Sequence, residues 1–261
     1  RWKTQKTFKK DKEKVTIQKE KINQKKKQKV SKEEKVVVFY MNLILNTARI
    51  SLVAQIITAL CGIYGIFISL TPENMILREV LILETVVQII ELIYYIWLIQ
   101  HFKYISYDVT FTRYFDWVLS TPIMLVSTVV FMKYKNHTSD EILTLASVVL
   151  ENIQPIIWFL IANWLMLLFG FFGERKLISR KNAFIGGTIM FLLSFYFIYS
   201  NFVGQHMVNH LLFWFMFIVW GLYGVAYCFQ YVTKNAMYNI LDIFSKNFYG
   251  LFLFFQIWTL K

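Results

Sequence analysis

Residues 239–258 read NILDIFSKNFYGLFLFFQIW, long and apolar enough to cross a bilayer as one helix, yet with Asp242 and Lys246 in its middle. On an α-helix the spacing of four puts both side chains on one face. There the carboxylate stabilises a cation on the lysine nitrogen inside a low-dielectric interior. Each such charge costs about 2.5–3.5 kcal/mol at a membrane-helix centre, so the pair reads as a functional site. A structural salt bridge is the alternative, since buried pairs also occur without function.

The rest of the chain shares this apolar character. Of its 261 residues 57% are hydrophobic and 18% aromatic, too apolar for a soluble domain. Apolar runs of bilayer-spanning length fall near 48–70, 76–101, 111–133, 153–172, 180–203, 207–232 and 237–260. They predict an all-α bundle of seven transmembrane helices in a lipid bilayer, a multi-pass membrane protein and not an enzyme or a nucleic-acid binder. Between the third and fourth runs, apolar positions 142, 145, 148 and 149 predict an interfacial helix or an extension of helix four. Pro72 and Pro155 suit first turns, whereas Pro122 falls inside helix three and should kink it.

The charge is unevenly placed. Fifteen of the 28 Lys and Arg and five of the sixteen acids precede Met41, so that stretch holds +10 of the net +12. Residues 1–40 therefore read as a Lys-rich extension, disordered or a polar helix near anionic headgroups, and either a native tail or sequence upstream of a natural start at Met41. They lack the apolar core and cleavage site of a signal peptide. Residues 41–261 form the membrane domain. Cys61 and Cys228 lie in apolar segments without metal-ligand spacing and read as unpaired thiols.

Further charges interrupt the apolar runs. Glu84 and Glu91 are two helical turns apart with Gln88 between them, a stripe that cannot face lipid. Arg113 and Asp116 are neighbours on helix three, and with Asp242 they make a two-carboxylate, one-arginine cluster around the lysine. Beside two carboxylates a lysine amine stays protonated, and so would a Schiff base formed on it.

Helix three contains RYFDWVLSTP (113–122) and helix seven DIFSKNFYGL (242–251), and in this order the two motifs resemble the microbial (type 1) rhodopsins from about Thr47 to the C-terminus. The resemblance implies all-trans retinal held on Lys246 as a Schiff base, with Asp116 the main counterion, Asp242 the second and Arg113 on their extracellular side. It also implies a retinal slot of Trp117, Thr121, Met166, Gly170, Trp220 and Tyr223, with Ser245 and Met124 at positions that tune colour. Any one of these aromatic or Met residues alone would read as core packing. Gly224 departs from the family, which commonly has proline after the helix-six tyrosine.

Proton pumps of the family carry a carboxylic acid eleven residues after the counterion, where this chain has Ser127, and no Asp or Glu lies between Glu174 and Asp242. Efficient pumping is therefore disfavoured. LETVVQIIELIYY and SKNFYGL resemble channelrhodopsins, above all the light-gated cation channels of giant viruses. That resemblance implies a central constriction of Ser51, Glu91 and Asn247, with Glu84 further along the path. Thr121 and Asn163 match the pair that couples helices three and four, Asn replacing the usual Asp, and Ser120 can hydrogen-bond Asp116. The implied function is a light-gated channel for small monovalent cations (Na+, K+, H+), working as a homo-oligomer without a metal cofactor. The alternatives are a sensory rhodopsin signalling to a partner and a weak light-driven proton transporter. The basic tail and the ERKLISRK loop favour an inside N-terminus by charge, whereas the resemblance implies an extracellular N-terminus and a cytoplasmic C-terminus.

Overall fold

A computed structural model describes residues 39, 41–102, 109–138 and 141–261. By contacts the chain divides into Arg1–Leu43 and Ile44–Lys261. Apart from residue 39, the Lys-rich extension of 1–40 lies outside the described residues. Among those described, seven helices have the length and composition to cross a membrane: α1 Met41–Ile66, α2 Pro72–His101, α3 Val109–Asn136, α4 Ile153–Glu174, α5 Arg180–Val203, α6 Met207–Tyr227 and α7 Tyr231–Trp258. Their outward faces are apolar, with Ile50, Ile57 and Leu60 of α1 and Trp158 and Leu165 of α4 exposed. Such faces suit lipid, while polar groups turn inward.

The helix boundaries follow local chemistry. Pro72 opens α2 in a 3-10 turn, where its missing N–H costs nothing. Ser179 caps α5 by accepting from the Asn182 amide at 3.2 Å. The turn from α5 to α6 passes through Gly204 at φ 61°, where a Cβ would lie 2.4 Å from Asn136 Nδ2. That amide donates to the Phe202 and Val203 carbonyls at 2.9 and 3.2 Å, so only glycine lets the turn close on α3.

The boundary of helices six and seven and the interfacial helix depart from expectation, and Pro122 lies inside α3 as expected. Helix six ends at Tyr227 and not near 232, and α7 begins at Tyr231, six residues before its apolar run. The added turn and a half carries the buried polar residues Lys234 and Asn235, so hydropathy does not see it as membrane helix. The interfacial helix shrinks to Leu145–Glu151, started by a capping box between Thr144 and Ser147. Finally, α3 runs on through Pro122. Proline removes the amide that would bond the Val118 carbonyl, and Trp164 Nε1 of α4 donates to that oxygen at 3.2 Å.

The interior has apolar ends and a polar middle. Tyr249, Leu253 and Ile257 of α7 pack with Leu77 and Leu81 of α2 and Val129–Met132 of α3 at one end. At the other, Ile44 and Ala48 meet Tyr94, Tyr95 and Leu98. Between them α7 changes winding, with Ile243–Phe248 forming a π-helical turn around Lys246. Such turns often mark functional positions.

Candidate functional site

Lys246 is 2% exposed, and its Nζ donates to Asp116 Oδ2 at 2.8 Å. A second carboxylate oxygen, Glu91 Oε1 of α2, lies 3.4 Å from the same nitrogen. Among the described residues Asp242 makes no ion pair with Lys246, contrary to the reading from their spacing. Asp242 directly precedes the π-helical turn Ile243–Phe248 that contains Lys246, and the lysine nitrogen is taken up by carboxyls of α3 and α2 instead.

Asp242 is held elsewhere. Tyr223 Oη and Tyr95 Oη each donate to it at 2.6 Å, and Arg113 Nη1 lies 3.4 Å away. Tyr223 also hydrogen-bonds the Ser245 hydroxyl at 2.8 Å. Arg113 is fully buried and donates to Asn235 Oδ1 and O at 3.2 and 3.4 Å, and to Asn239 Oδ1. Asn239 in turn donates to the Ile44 carbonyl at 3.0 Å and to Thr47 at 2.8 Å, tying α7 to α1. Arg113 is thus fixed by amides that α7 presents one turn apart.

A cavity of about 290 Å³ starts at the Lys246 amine and runs between α3, α4, α5 and α6. The expected slot residues Trp117, Thr121, Met166, Gly170, Trp220 and Tyr223 all line it, as do Met124 and Ser245. Trp117 stands edge-on to Tyr223 and Tyr238, with ring centroids 5.6 and 5.2 Å apart. A Cβ at Gly187, Gly221 or Gly224 would meet nothing nearer than 3.7 Å, so these glycines hold the cavity open. Gly224 occupies that wall where the family commonly has proline. Asn163 Nδ2 donates to Thr121 Oγ1 at 2.8 Å and joins α4 to α3.

The expected constriction residues are all buried but do not form one bonded group. Ser51 donates to the Asn239 carbonyl; Gln55, one turn on, is the α1 residue that donates to Glu91. Gln88 donates to the Lys246 carbonyl at 3.0 Å, at the interrupted stretch of α7. Glu84 accepts from Ser127 of α3, the position where the pump acid was expected and missed. Gln55 Oε1, Gln88 Oε1, Glu84 Oε2 and both polar side-chain atoms of Asn247 are buried without a hydrogen-bond partner, as is the Ser120 hydroxyl.

Sequence reasoning passed over Gln55, Tyr95, Asn235 and Asn239, because uncharged polar residues do not interrupt an apolar run. Their spacing was the available signal: Asn235, Asn239, Asp242 and Lys246 recur at four, three and four residues. Lys234 was also missed; it pairs with Glu174 at 2.6 Å where α4 ends and α7 begins.

With this geometry in hand, comparison with known proteins is informative. The sequence profile of the bacteriorhodopsin-like protein family matches residues 46–260. No curated protein matches the chain. Among solved structures, the viral rhodopsin OLPVRII is similar with a TM-score of 0.75 at 24% identity, over 84% of this chain and 99% of that one. The proton pumping rhodopsin AR2 from the marine alga Acetabularia acetabulum gives 0.65 at 20% identity, over 83% and 95%. Bromide-bound halorhodopsin from Halobacterium salinarum gives 0.65 at 13%, over 85% and 96%. At such identities the likeness speaks for the fold alone. One fold serves a proton pumping protein and a bromide-binding one, so transport has to be argued from this chain's own site. The family match over residues 46–260 makes the chain a member of the bacteriorhodopsin-like proteins, integral multi-pass membrane proteins whose cofactor is retinal.

Proposed function

We propose that the protein is a photoreceptor with retinal on Lys246 and that it conducts small monovalent cations when illuminated. The residues present fit the cofactor: the cavity is apolar, walled by aromatic rings, widened by three glycines and reaches Lys246. Trp220 Nε1, on the cavity wall, and Asp116 Oδ1, on the carboxyl beside the lysine nitrogen, have no hydrogen-bond partner. Lys246 would carry retinal as a Schiff base, Trp117 and Trp220 would flank the polyene, and Gly170 would make room at its side. When bound, retinal supplies the absorption of visible light and the change of shape that follows.

The protein's own groups supply the rest. Asp116, 2.8 Å from the lysine nitrogen, is placed to accept its proton. Asp242 is already engaged, because two tyrosines and Arg113 hold its oxygens. Once the nitrogen is neutral, the ion pair joining α3 to α7 is gone, and α7 is free to shift against α2.

The observation that carries the channel reading is the buried line of amides and carboxyls between α1, α2 and α7. Gln55, Gln88, Glu84 and Asn247 present unpartnered polar atoms along it. Buried polar atoms without protein partners call for water or an ion, and carboxyl and amide oxygens ligate cations while repelling anions. Light-evoked currents in planar bilayers or patched cells test this. A reversal potential that follows the cation gradient, altered in Glu91→Ala and Asn247→Ala, is expected. The absence of current in protein with a full visible band would refute conduction.

A second reading has an observation of its own. The Ser127–Glu84 bond puts a carboxyl from α2 where pumps carry one on α3, so the missing helix-three acid does not exclude proton transport. Light-driven pH changes that persist against an opposing voltage and vanish in Glu84→Gln would favour it. The orientation belongs to the same proposal, with an extracellular N-terminus and a cytoplasmic C-terminus.

A further inference from the structure

We infer that Glu91 is a second counter-charge to the Lys246 nitrogen beside Asp116, so that one carboxyl group both tunes the chromophore and lines the cation path. The inference rests on retinal being carried by Lys246. Its basis is the allocation of charges around the lysine. From α3 come Arg113 and Asp116, from α2 Glu91 and Tyr95, from α6 Tyr223, and from α7 Asp242; α1 contributes the neutral Gln55 and Ser51. Arg113 pairs with Asp242, whose oxygens are also taken by Tyr95 and Tyr223. That leaves Asp116 at 2.8 Å and Glu91 at 3.4 Å as the carboxyls that face the lysine nitrogen.

Glu91 is not there by chance of rotamer. It is fully buried, and Gln55 of α1 donates to its Oε2, which leaves Oε1 aimed at the lysine. The arrangement hands Glu91 the second-counterion place that the family resemblance implied for Asp242. Lys246 is held from α3 and α2, whereas Asp242 is held by Arg113, Tyr95 and Tyr223. A helix-two carboxyl that senses the charge on the nitrogen ties the photochemical event to the path without any intermediate element.

A negative group beside a protonated retinal linkage holds the positive charge at the nitrogen in the ground state. Excitation moves that charge along the polyene, so removing the negative group lowers the excitation energy. Reconstitution with all-trans retinal and absorption spectroscopy at neutral pH are the test. Glu91→Gln should move the visible band to longer wavelength, as Asp116→Asn does, and Glu91→Asp should move it less. If Glu91→Gln does not take up retinal, Glu91→Asp, whose shorter side chain draws the carboxyl back from the nitrogen, is scored instead and should shift the band in the same direction. A band unmoved in the scored variant while Asp116→Asn moves it would overturn the inference. A wild-type chain that gives no visible band is a different result: it would overturn the assignment of retinal to Lys246, and this inference with it.

Discussion

Replacing Gly170 by alanine tests the cavity with one methyl group. A Cβ at this position would stand 2.5 Å from Tyr114 Oη and 3.0 and 3.1 Å from Cε1 and Cζ of the same ring. Ordinary contact begins near 3.4 Å, so the ring has to move by about 0.9 Å. It cannot yield sideways, because Trp117 and Phe171 stand edge-on to it with centroids 5.0 and 5.8 Å away. The open direction is the cavity. Without retinal the displaced ring costs little, but retinal has to push it back. Overpacking of this kind costs about 1–3 kcal/mol, which at about 1.4 kcal/mol per tenfold weakens retinal binding about 5- to 150-fold. Titration of retinal into the purified protein, followed at the visible band, measures this directly. Tyr114→Phe removes the atom at 2.5 Å, so the double variant should regain most of the loss, a coupling that a double-mutant cycle isolates. If Gly170→Ala binds as tightly as the wild type, or the double variant regains nothing, the cavity does not hold retinal as argued.

Other perturbations test separate parts. Lys246→Ala should give no visible band at any retinal concentration, whereas attachment elsewhere would leave one. Acidification should shift the wild-type band to longer wavelength as Asp116 takes a proton, and Asp116→Asn should show the shifted band throughout; a variant that still titrates like the wild type would move that role to another group. Trp164→Phe leaves the Val118 carbonyl without the donor that offsets Pro122. It should cost about 0.5–1.5 kcal/mol, seen as a lower midpoint in thermal unfolding, with the visible band unchanged.

Much of the architecture was legible because a bilayer imposes length and apolarity on any helix that crosses it. Five of the seven helices begin within about a turn of their apolar runs, while α1 and α7 begin seven and six residues before theirs. α7 starts early because Lys234 and Asn235 are buried, and a hydropathy window cannot know which way a side chain faces. The chromophore slot was legible for a different reason: RYFDWVLSTP and DIFSKNFYGL resemble a known family, and the side chains so implied converge on one cavity. The partnership of Lys246 was not legible. Counting residues assumes 3.6 per turn, and nothing in FSKNF announces a π-helical turn. Likewise Ser51 and Gln55 are one turn apart on the same stripe of α1, and only packing decides that Gln55 reaches Glu91 while Ser51 reaches the Asn239 carbonyl.

The π-helical turn at Ile243–Phe248 also bears on how α7 moves. It stores one surplus residue in the middle of a helix whose two ends are anchored, by Asn235 and Asn239 on one side and by Tyr249 and Leu253 in the core on the other. Regular winding gains about 1.5 Å of rise and about 100° of rotation per residue. Passing the surplus along the chain therefore turns the lysine relative to its anchors without unwinding either end. Deleting Phe244 would remove that slack, and α7 would run in regular winding with Ser245 to Trp258 still nearly in phase with Asp242. The lysine would stay near Asp116 but lose its freedom to turn, and α7 would become an ordinary, rigid rod.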